Sequence, residues 1–391
     1  MGMLRYFLAL VVVIGHSPLT AFARPLNGDG GLAVQSFYVI SGFYMSLILN
    51  KYRLHTLQLT NLKDFYFSRF LRIYPIYWIC FVATLAVGYF HIMSIPPFPV
   101  DVLKMLGSFS DKIFYLLQNV FIFGQALMRF MFYNSEAHSF TLNLFGASNA
   151  DGHLGQGGSS YLILGQAWSL SLELTFYLLV PFLLTRKWYT VMSVCVLSLS
   201  LRFILHALGY TEHNYDMQVA FFPTALGIFL LGSLSHQIIY PLLRNKSKTF
   251  LRVMGNVFVA LIMFYVVHLY KTIGSTDLKY WCFVGLVTLS LPFLFSYFAK
   301  SKFDRMVGEL SFPVYMIHFI FIGLIARFHW IDSAYAAYWV ILLSTITSIL
   351  LVCFVVMPLD NFRHIKWVPK TAKERDYTVQ QLPNSLVHGE A

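Results

Sequence analysis

The chain has 391 residues, of which 58% are hydrophobic and only 12% are charged. Soluble domains carry roughly 25% charged residues, so this composition excludes a soluble globular domain and predicts an all-α integral membrane protein with several spans. The formal charge of +11 lies mainly in short loops between apolar runs, where membrane topology accounts for it. No basic cluster interleaved with aromatic residues lies on a polar domain, so nucleic acid is not expected as a partner.

Ten apolar runs of the sequence are each close to the roughly 20 residues that a helix needs to cross a bilayer. In chain order these runs are Leu4–Phe22, Ala33–Leu49, Leu71–Phe90, Ala167–Leu184, Trp188–Leu208, Ala220–Tyr240, Val253–Tyr270, Tyr280–Phe298, Leu310–Phe328 and Ala336–Met357. An eleventh run, Ile113–Phe132, is interrupted by Gln118, Asn119, Gln125 and Arg129.

Clusters of Lys and Arg between the runs decide how the eleventh run is interpreted. They lie at residues 51–72, 186–187, 244–252, 300–305 and 363–375. Cytoplasmic loops carry such an excess of positive charge. All five clusters reach the cytoplasm only if Ile113–Phe132 does not cross. We therefore predict about ten transmembrane helices with both termini in the cytoplasm, and a re-entrant or interfacial segment at Ile113–Phe132.

The same topology divides the chain into regions. A transmembrane domain is predicted over residues 1–362, followed by a polar cytoplasmic tail over residues 363–391. The loop from Tyr133 to Tyr161 then lies outside. Its Gly-rich part, Gly152–Gly158, is typical of a flexible connector, and a sugar-facing flap is the alternative.

Two ionisable residues, Arg5 and His16, lie in the first apolar run. They are eleven positions apart, which is about three helical turns, so they share one helix face about 16 Å apart along the axis. Such residues inside a membrane usually face a cavity or a partner. Because an imidazole titrates near neutrality, His16 is a candidate general base, with a buried structural histidine as the alternative.

Further polar residues lie at the ends of later runs. Arg69 and Arg72 are three apart on one helix face, and their planar guanidinium groups suit bidentate binding of phosphate. The alternative is that they are topology signals at a cytoplasmic helix end. Glu173 lies about 9 Å inside a span, where a carboxylate needs a partner or a wet cavity.

The later spans contain five polar residues that could be considered for a metal site or a reaction. These residues are Arg202, His206, His236, His268 and His318. No His-x-x-x-His or Cys-x-x-Cys spacing joins them, so no metal is expected.

Five motifs follow one another along the chain in a fixed order. They are Arg5-x10-His16, Phe37-Tyr-Val-Ile-Ser41-Gly42-Phe43, Arg69-x-x-Arg72-Ile-Tyr-Pro75, Trp168-Ser-Leu-Ser-Leu-Glu173-Leu-Thr-Phe-Tyr177 and Leu310-Ser-Phe-Pro-Val-Tyr315-Met-Ile-His318. With these motifs the chain resembles the acyltransferase-3 family of membrane acyltransferases, which includes bacterial O-antigen and other glycan O-acetyltransferases.

The resemblance implies that an acyl group, usually acetyl, moves from cytoplasmic acyl-CoA to a sugar hydroxyl. It implies a multi-pass protein of the inner (plasma) membrane that modifies polysaccharide of the cell envelope. The expected partners are acetyl-CoA or another acyl-CoA as donor, a glycan or glycolipid acceptor, and the lipid bilayer, while a homodimer stays open. A transporter or exporter of lipid or glycan, with a polar pathway through the membrane, is the alternative.

The resemblance also implies roles for the motif residues. The hypothesis is that His16 acts as general base, with a covalent acyl-His16 intermediate as the alternative, and that Glu173 either orients His16 or contacts the acceptor. The remaining residues are expected to bind the substrates: Arg5, Arg69 and Arg72 the CoA phosphates, and His318 the substrate or donor. Ser41, Trp168 and Tyr315 are alternative candidates for the donor to the oxyanion.

Overall fold

The computed structural model describes residues 1–17, 30–49, 52, 57–90, 99–144, 157–210, 216–269, 276–328 and 335–366. These ranges are mostly helical. The helices are α1 (Gly2–His16), α2 (Gly30–Ile48), α3 (Leu59–Tyr89), α4 (Pro99–Met105), α5 (Phe109–Phe121), α6 (Trp168–Leu183), α7 (Trp188–Ala207), α8 (Phe222–Leu234), α9 (Lys248–Phe264), α10 (Thr276–Phe298), α11 (Lys302–Arg327), α12 (Ala336–Leu351) and α13 (Met357–Lys366).

Short elements join or extend these helices. Strands β1 (Met131–Asn134) and β2 (Ser139–Leu142) form an antiparallel hairpin in which Met131 lies opposite Leu142. The remaining short elements are the 3-10 helices Leu127–Phe130, Gly158–Tyr161 and Gly165–Ala167, the helical turns Asp216–Val219 and Tyr240–Leu242, and the π-helices Ser235–Ile239, Tyr265–Leu269 and Val352–Val356.

The protein is an all-α membrane protein. Within the described residues, seven helices are long and apolar enough to cross a bilayer, and α1 is a shorter apolar helix. Within the described residues, each of the ten predicted runs overlaps a helix, while the count of ten crossings and the cytoplasmic termini stay predictions. The predicted tail boundary after residue 362 falls inside α13, and residues 367–391 lie outside the described residues.

Two helices begin well before the apolar runs that predicted them. Helix α3 begins at Leu59 and not at Leu71, and α11 begins at Lys302 and not at Leu310. In both cases the first turns of the helix contain charged residues. These residues lie outside the apolar run of the sequence, although they belong to the helix.

Helices α2 and α8 cross at very close range. A Cβ atom added at Gly42 would lie 1.8 Å from the Phe229 carbonyl oxygen, and one added at Gly232 would lie 1.8 Å from the Val39 carbonyl oxygen. Ser233 Oγ donates a hydrogen bond of 3.0 Å to the Gly42 carbonyl across this crossing. Small residues therefore bring the two backbones together, as in many membrane helix pairs.

Helix α1 packs along α11, and its first turn is fixed by one carboxylate. Asp304 on α11 accepts hydrogen bonds from the backbone N–H groups of Gly2 (2.8 Å) and Met3 (3.0 Å). These groups have no partner within their own helix, so Asp304 caps α1 from a neighbouring helix. Gly308 allows the contact, because a Cβ atom there would lie 2.7 Å from Gly2 Cα.

The ambiguous run Ile113–Phe132 does not form one helix. Helix α5 ends at Phe121, and Ile122 takes a φ of 70°. The chain then continues through a 3-10 helix into β1. This break agrees with the prediction that the run does not cross the membrane as a helix.

The end of α5 is held by hydrogen bonds from a neighbouring helix. Ile122 is fully buried, and the carbonyls before it accept hydrogen bonds from Tyr74 Oη (2.6 Å, to Phe121) and Trp78 Nε1 (2.9 Å, to Val120) of α3. Irregular backbone at membrane depth needs such protein partners. The re-entrant or interfacial placement of the segment stays a prediction. Of the predicted Gly-rich connector, residues 152–156 lie outside the described residues.

Candidate active site

A cavity of about 420 Å³ opens at the end of the bundle where α1 begins, between α1, α2, α3, α6, α10 and α11. Six residues that the sequence predicted for the site line it. They are Arg5, Ser41, Arg69, Arg72, Glu173 and Tyr315. The other three predicted residues, His16, Trp168 and His318, are not among its lining residues.

The charges in the cavity wall are four guanidinium groups and three carboxylates. They belong to Arg5, Arg69, Arg72, Arg305, Glu173, Asp304 and Glu309. All three carboxylates have protein partners. Glu309 Oε1 lies 3.4 Å from an Arg72 nitrogen, and Asp304 caps α1.

Glu173 is held by two hydroxyl groups. Ser41 Oγ donates to Glu173 Oε1 at 2.6 Å, and the Tyr177 hydroxyl donates to the same oxygen. The hydrogen bonds of Glu173 therefore go to α2 and to its own helix, and none reaches His16. The hypothesis that Glu173 orients His16 lacks a contact, whereas contact with a substrate in the cavity stays open. Because the Ser41 proton is engaged with this carboxylate, Ser41 is a poor oxyanion donor.

Arg69 has the most unusual environment of the four cations. It is 8% exposed, and its Nη2 donates to Ser68 Oγ over a long distance of 3.3 Å. Its Nε is buried without a hydrogen-bond partner. Within the described part of the chain, no carboxylate lies within ion-pair distance of Arg69 or Arg5. A buried cation without an anion is costly, so this arrangement favours an anionic ligand in the cavity.

The inner end of the cavity is closed by a hydrogen-bond network around Tyr315. Its hydroxyl donates to the Gln166 carbonyl at 2.7 Å and lies 2.7 Å from Ser169 Oγ. Gln166 Nε2 in turn donates to the Met316 carbonyl at 2.6 Å. This network ties α11 to the start of α6 and separates the cavity from the two histidines beyond it.

His16 and His318 form a contact pair on the far side of Tyr315. His318 is fully buried, while His16, the last residue of α1, is exposed. His318 Nε2 lies 3.2 Å from His16 Nδ1, and the two ring centroids are 5.3 Å apart. The Phe319 ring is 4.9 Å from His16. The structure thus brings together two residues that are 302 positions apart in the sequence.

The family model of an acyltransferase domain, Acyl_transf_3, matches residues 1–358. The chain belongs to the acyltransferase-3 family. It is a membrane acyltransferase, and the match includes every residue of the cavity and the histidine pair. No curated protein and no solved structure matches the chain.

In this acyltransferase, Trp168 lies beside an ion pair that sequence reasoning missed. The Arg129 guanidinium lies over the Trp168 ring at 4.6 Å, and Arg129 Nε donates to Asp216 Oδ1 at 2.6 Å. Burial raises the pKa of the Asp216 carboxyl, and Arg129 opposes this shift. Arg129 is close enough to His16 and Tyr315 for its charge to act on both. The one available signal was a lone arginine within an apolar run.

The acyltransferase site shows no metal cluster in its described part. Throughout the described ranges, no three His, Cys, Asp or Glu side chains are grouped so that they could hold a metal ion.

Proposed function

We propose that this membrane acyltransferase moves an acyl group, typically acetyl, from acyl-CoA to a hydroxyl of a glycan or glycolipid. The observation that carries the proposal is the buried Arg69, whose Nε lacks a partner inside a cavity that also contains Arg5. A cavity of this kind accepts a polyanion, and CoA is an acyl carrier with phosphates at one end. The acceptor class and the inner-membrane location rest on the resemblance of the motifs to glycan O-acetyltransferases.

The donor phosphates are proposed to bind at Arg69 and Arg5, with Arg305 at the exposed rim of the cavity. The motifs predicted that Arg69 and Arg72 both bind the phosphates, whereas this proposal leaves Arg72 out. Arg72 forms an ion pair with Glu309. The pair has no net charge, so its attraction for an incoming phosphate is weak. The unpaired guanidinium groups supply the net attraction and bidentate geometry.

The acyl end of the donor is proposed to reach inward along α1, from Arg5 toward His16, over about 16 Å. The Tyr315 side chain stands on this path between the cavity and the histidines. The Tyr315 hydroxyl donates to the Gln166 carbonyl, so it is not free to donate to an oxyanion. Tyr315 is proposed instead to separate the cavity from the histidines and to move aside when the donor binds.

His16 is proposed to act as general base. It takes the proton of the acceptor hydroxyl as that oxygen attacks the thioester carbonyl carbon. The C–S bond then breaks, and the CoA sulfur leaves and receives the proton from His16. A base of this kind supplies typically 10²–10⁴-fold in rate, and the alignment of two substrates supplies much of the remainder.

Release of CoA from acetyl-CoA by the purified protein, with a cell-envelope extract as acceptor, tests this function. His16→Ala is expected to lower kcat by about 10²-fold or more, because the base is lost. His268→Ala, which removes an exposed histidine on a π-helix, is the matched control and should keep wild-type turnover. A folded His16→Ala protein with wild-type turnover would overturn the proposal. The acceptor itself should appear as a mass loss on cell-surface glycans or glycolipids when the protein is deleted.

A further inference from the structure

We propose that His318 is a positioning residue that sets the tautomer of His16, so that His16 Nε2 is the nitrogen that acts as base. This inference rests on the proposed function, since it assigns the reactive atom of the same general base. It changes the role expected for His318 from substrate binding to the orientation of another side chain.

The proton positions follow from hydrogen-bond partners, beginning with His318. Its Nδ1 lies 2.7 Å from the Tyr315 carbonyl oxygen. A carbonyl only accepts, so His318 Nδ1 must carry a hydrogen. His318 is fully buried, and no carboxylate contacts it within the described structure. A buried imidazole in that situation is neutral, which leaves a lone pair on His318 Nε2.

The same reasoning then fixes the proton on His16. His318 Nε2, an acceptor, lies 3.2 Å from His16 Nδ1, so His16 Nδ1 must donate. A neutral imidazole has one ring proton. The other nitrogen of His16, Nε2, therefore carries the lone pair that can accept a proton from the acceptor hydroxyl. Which nitrogen of a histidine reacts is commonly set by the bond made by the other.

An aromatic ring and hydrogen bonds restrict the orientation of the two imidazole rings. The rings of His16 and His318 are inclined by 27°, and the Phe319 ring lies 4.7 Å from His318 as well as beside His16. Both nitrogens of His318 are occupied, one by Tyr315 and one by His16. His318 therefore cannot contact a substrate unless it gives up one of these bonds.

During the reaction the pair keeps its hydrogen bond. When His16 Nε2 gains the acceptor proton, His16 Nδ1–H still donates to His318 Nε2, and the positive charge stays on His16 until Nε2 returns the proton to the CoA sulfur. His318 takes the place that a carboxylate occupies in a Ser-His-Asp triad, but as a neutral acceptor. This accounts for a base that works without contact to Glu173.

Two variants of His318 separate orientation from packing. In His318→Gln the side-chain amide oxygen can lie where Nε2 was and accept from His16, whereas His318→Met fills the space without an acceptor. We expect His318→Met to lower kcat about 10- to 100-fold, the loss that is typical when the hydrogen-bond partners orienting metal-bound histidines are removed, and to leave the KM for acetyl-CoA unchanged. His318→Gln should recover most of the loss. Equal kcat values for His318→Met and wild type would overturn the proposal.

The tautomer itself can be measured without any turnover. In ¹⁵N-histidine-labelled protein, the His16 signals are assigned by their absence from His16→Gln. We expect a protonated Nδ1 and an unprotonated Nε2 on His16 in the wild type. The opposite tautomer would overturn the inference even if the His318 variants fail to fold. A His16→Ala protein that retains turnover would instead refute the proposed function, so the two failures can be told apart.

Discussion

Arg69 and Arg72 lie one turn apart on α3, yet their guanidinium groups have different partners. Arg72 faces Glu309, 237 positions further along the chain, while Arg69 faces the cavity with an unpaired Nε. Spacing predicted that the two share a helix face. It could not predict the asymmetry, because the carboxylate that neutralises Arg72 comes from α11 and depends on how the helices pack.

This asymmetry predicts different kinetics for two substitutions. Arg69→Ala should raise the KM for acetyl-CoA about 10-fold or more, since a hydrogen bond to a charged group contributes about 1.5–3 kcal/mol. The double substitution Arg72→Ala with Glu309→Gln removes a balanced pair and should change KM by less than about 3-fold. Initial rates of CoA release measure both. Arg186→Ala, at an exposed position, is the control. A double variant as impaired as Arg69→Ala would mean that Arg72 binds the donor directly.

The sequence predicted residues that line the cavity, but it did not predict which distant residues contact each other. The motifs named six residues that line one cavity, because charged and hydroxyl groups within apolar runs must face something polar. The contacts between distant residues were not predictable. His16 meets His318, Tyr315 meets Gln166, and Arg129 meets Asp216. No periodicity links residues that meet only through the tertiary fold.

At the scale of elements, the close crossing of α2 and α8 fixes the wall of the cavity. Helix α2 carries Ser41, and the neighbouring Gly42 allows α8 to approach its backbone. A Cβ atom added to a glycine at this crossing would contact the backbone carbonyl of the facing helix and not a flexible side chain. Added volume there cannot be absorbed by a change of rotamer.

Gly232→Ala is therefore expected to cost about 3 kcal/mol or more, at the upper end for overpacked cores. It should appear as a lower Tm and a smaller monodisperse fraction in detergent. Gly285→Ala is the matched control within a helix, since nothing lies within 4 Å of its added Cβ. It should keep or raise stability by up to about 1 kcal/mol, because alanine favours the helix. Equal losses in both variants would show that the crossing is looser than described.

The apolar runs located the membrane helices because lipid requires long apolar segments. They did not locate the helix ends where charges continue the helix, as at Lys302 of α11. They also left the run around α5 ambiguous. The helix in this run is broken at Ile122, which has a positive φ, and Tyr74 of α3 donates to the Phe121 carbonyl before the break. Neither feature has a sequence signal.

At the scale of the whole molecule, the groups proposed for the two substrates lie at opposite ends of α1. Arg5 faces the cavity near the first turn, and His16 ends the helix beyond Tyr315. The cavity end also carries Lys302 and Arg305, which belong to a loop predicted to be cytoplasmic. This arrangement suits a donor that enters from the cytoplasm and an acceptor that meets His16 from the other side.

That orientation predicts which cysteines an impermeant maleimide can reach in sealed cells. The exposed native residues Cys282 and Cys353 are first replaced by serine. Leu142→Cys, at a half-exposed position on β2, should be labelled from outside, because the hairpin follows Arg129 on the His16 side. Lys302→Cys, at the start of α11, should be labelled only after permeabilisation, which serves as the control for both variants. The reverse pattern would place the cavity outside, where acyl-CoA is absent, and would refute the proposed entry of the donor.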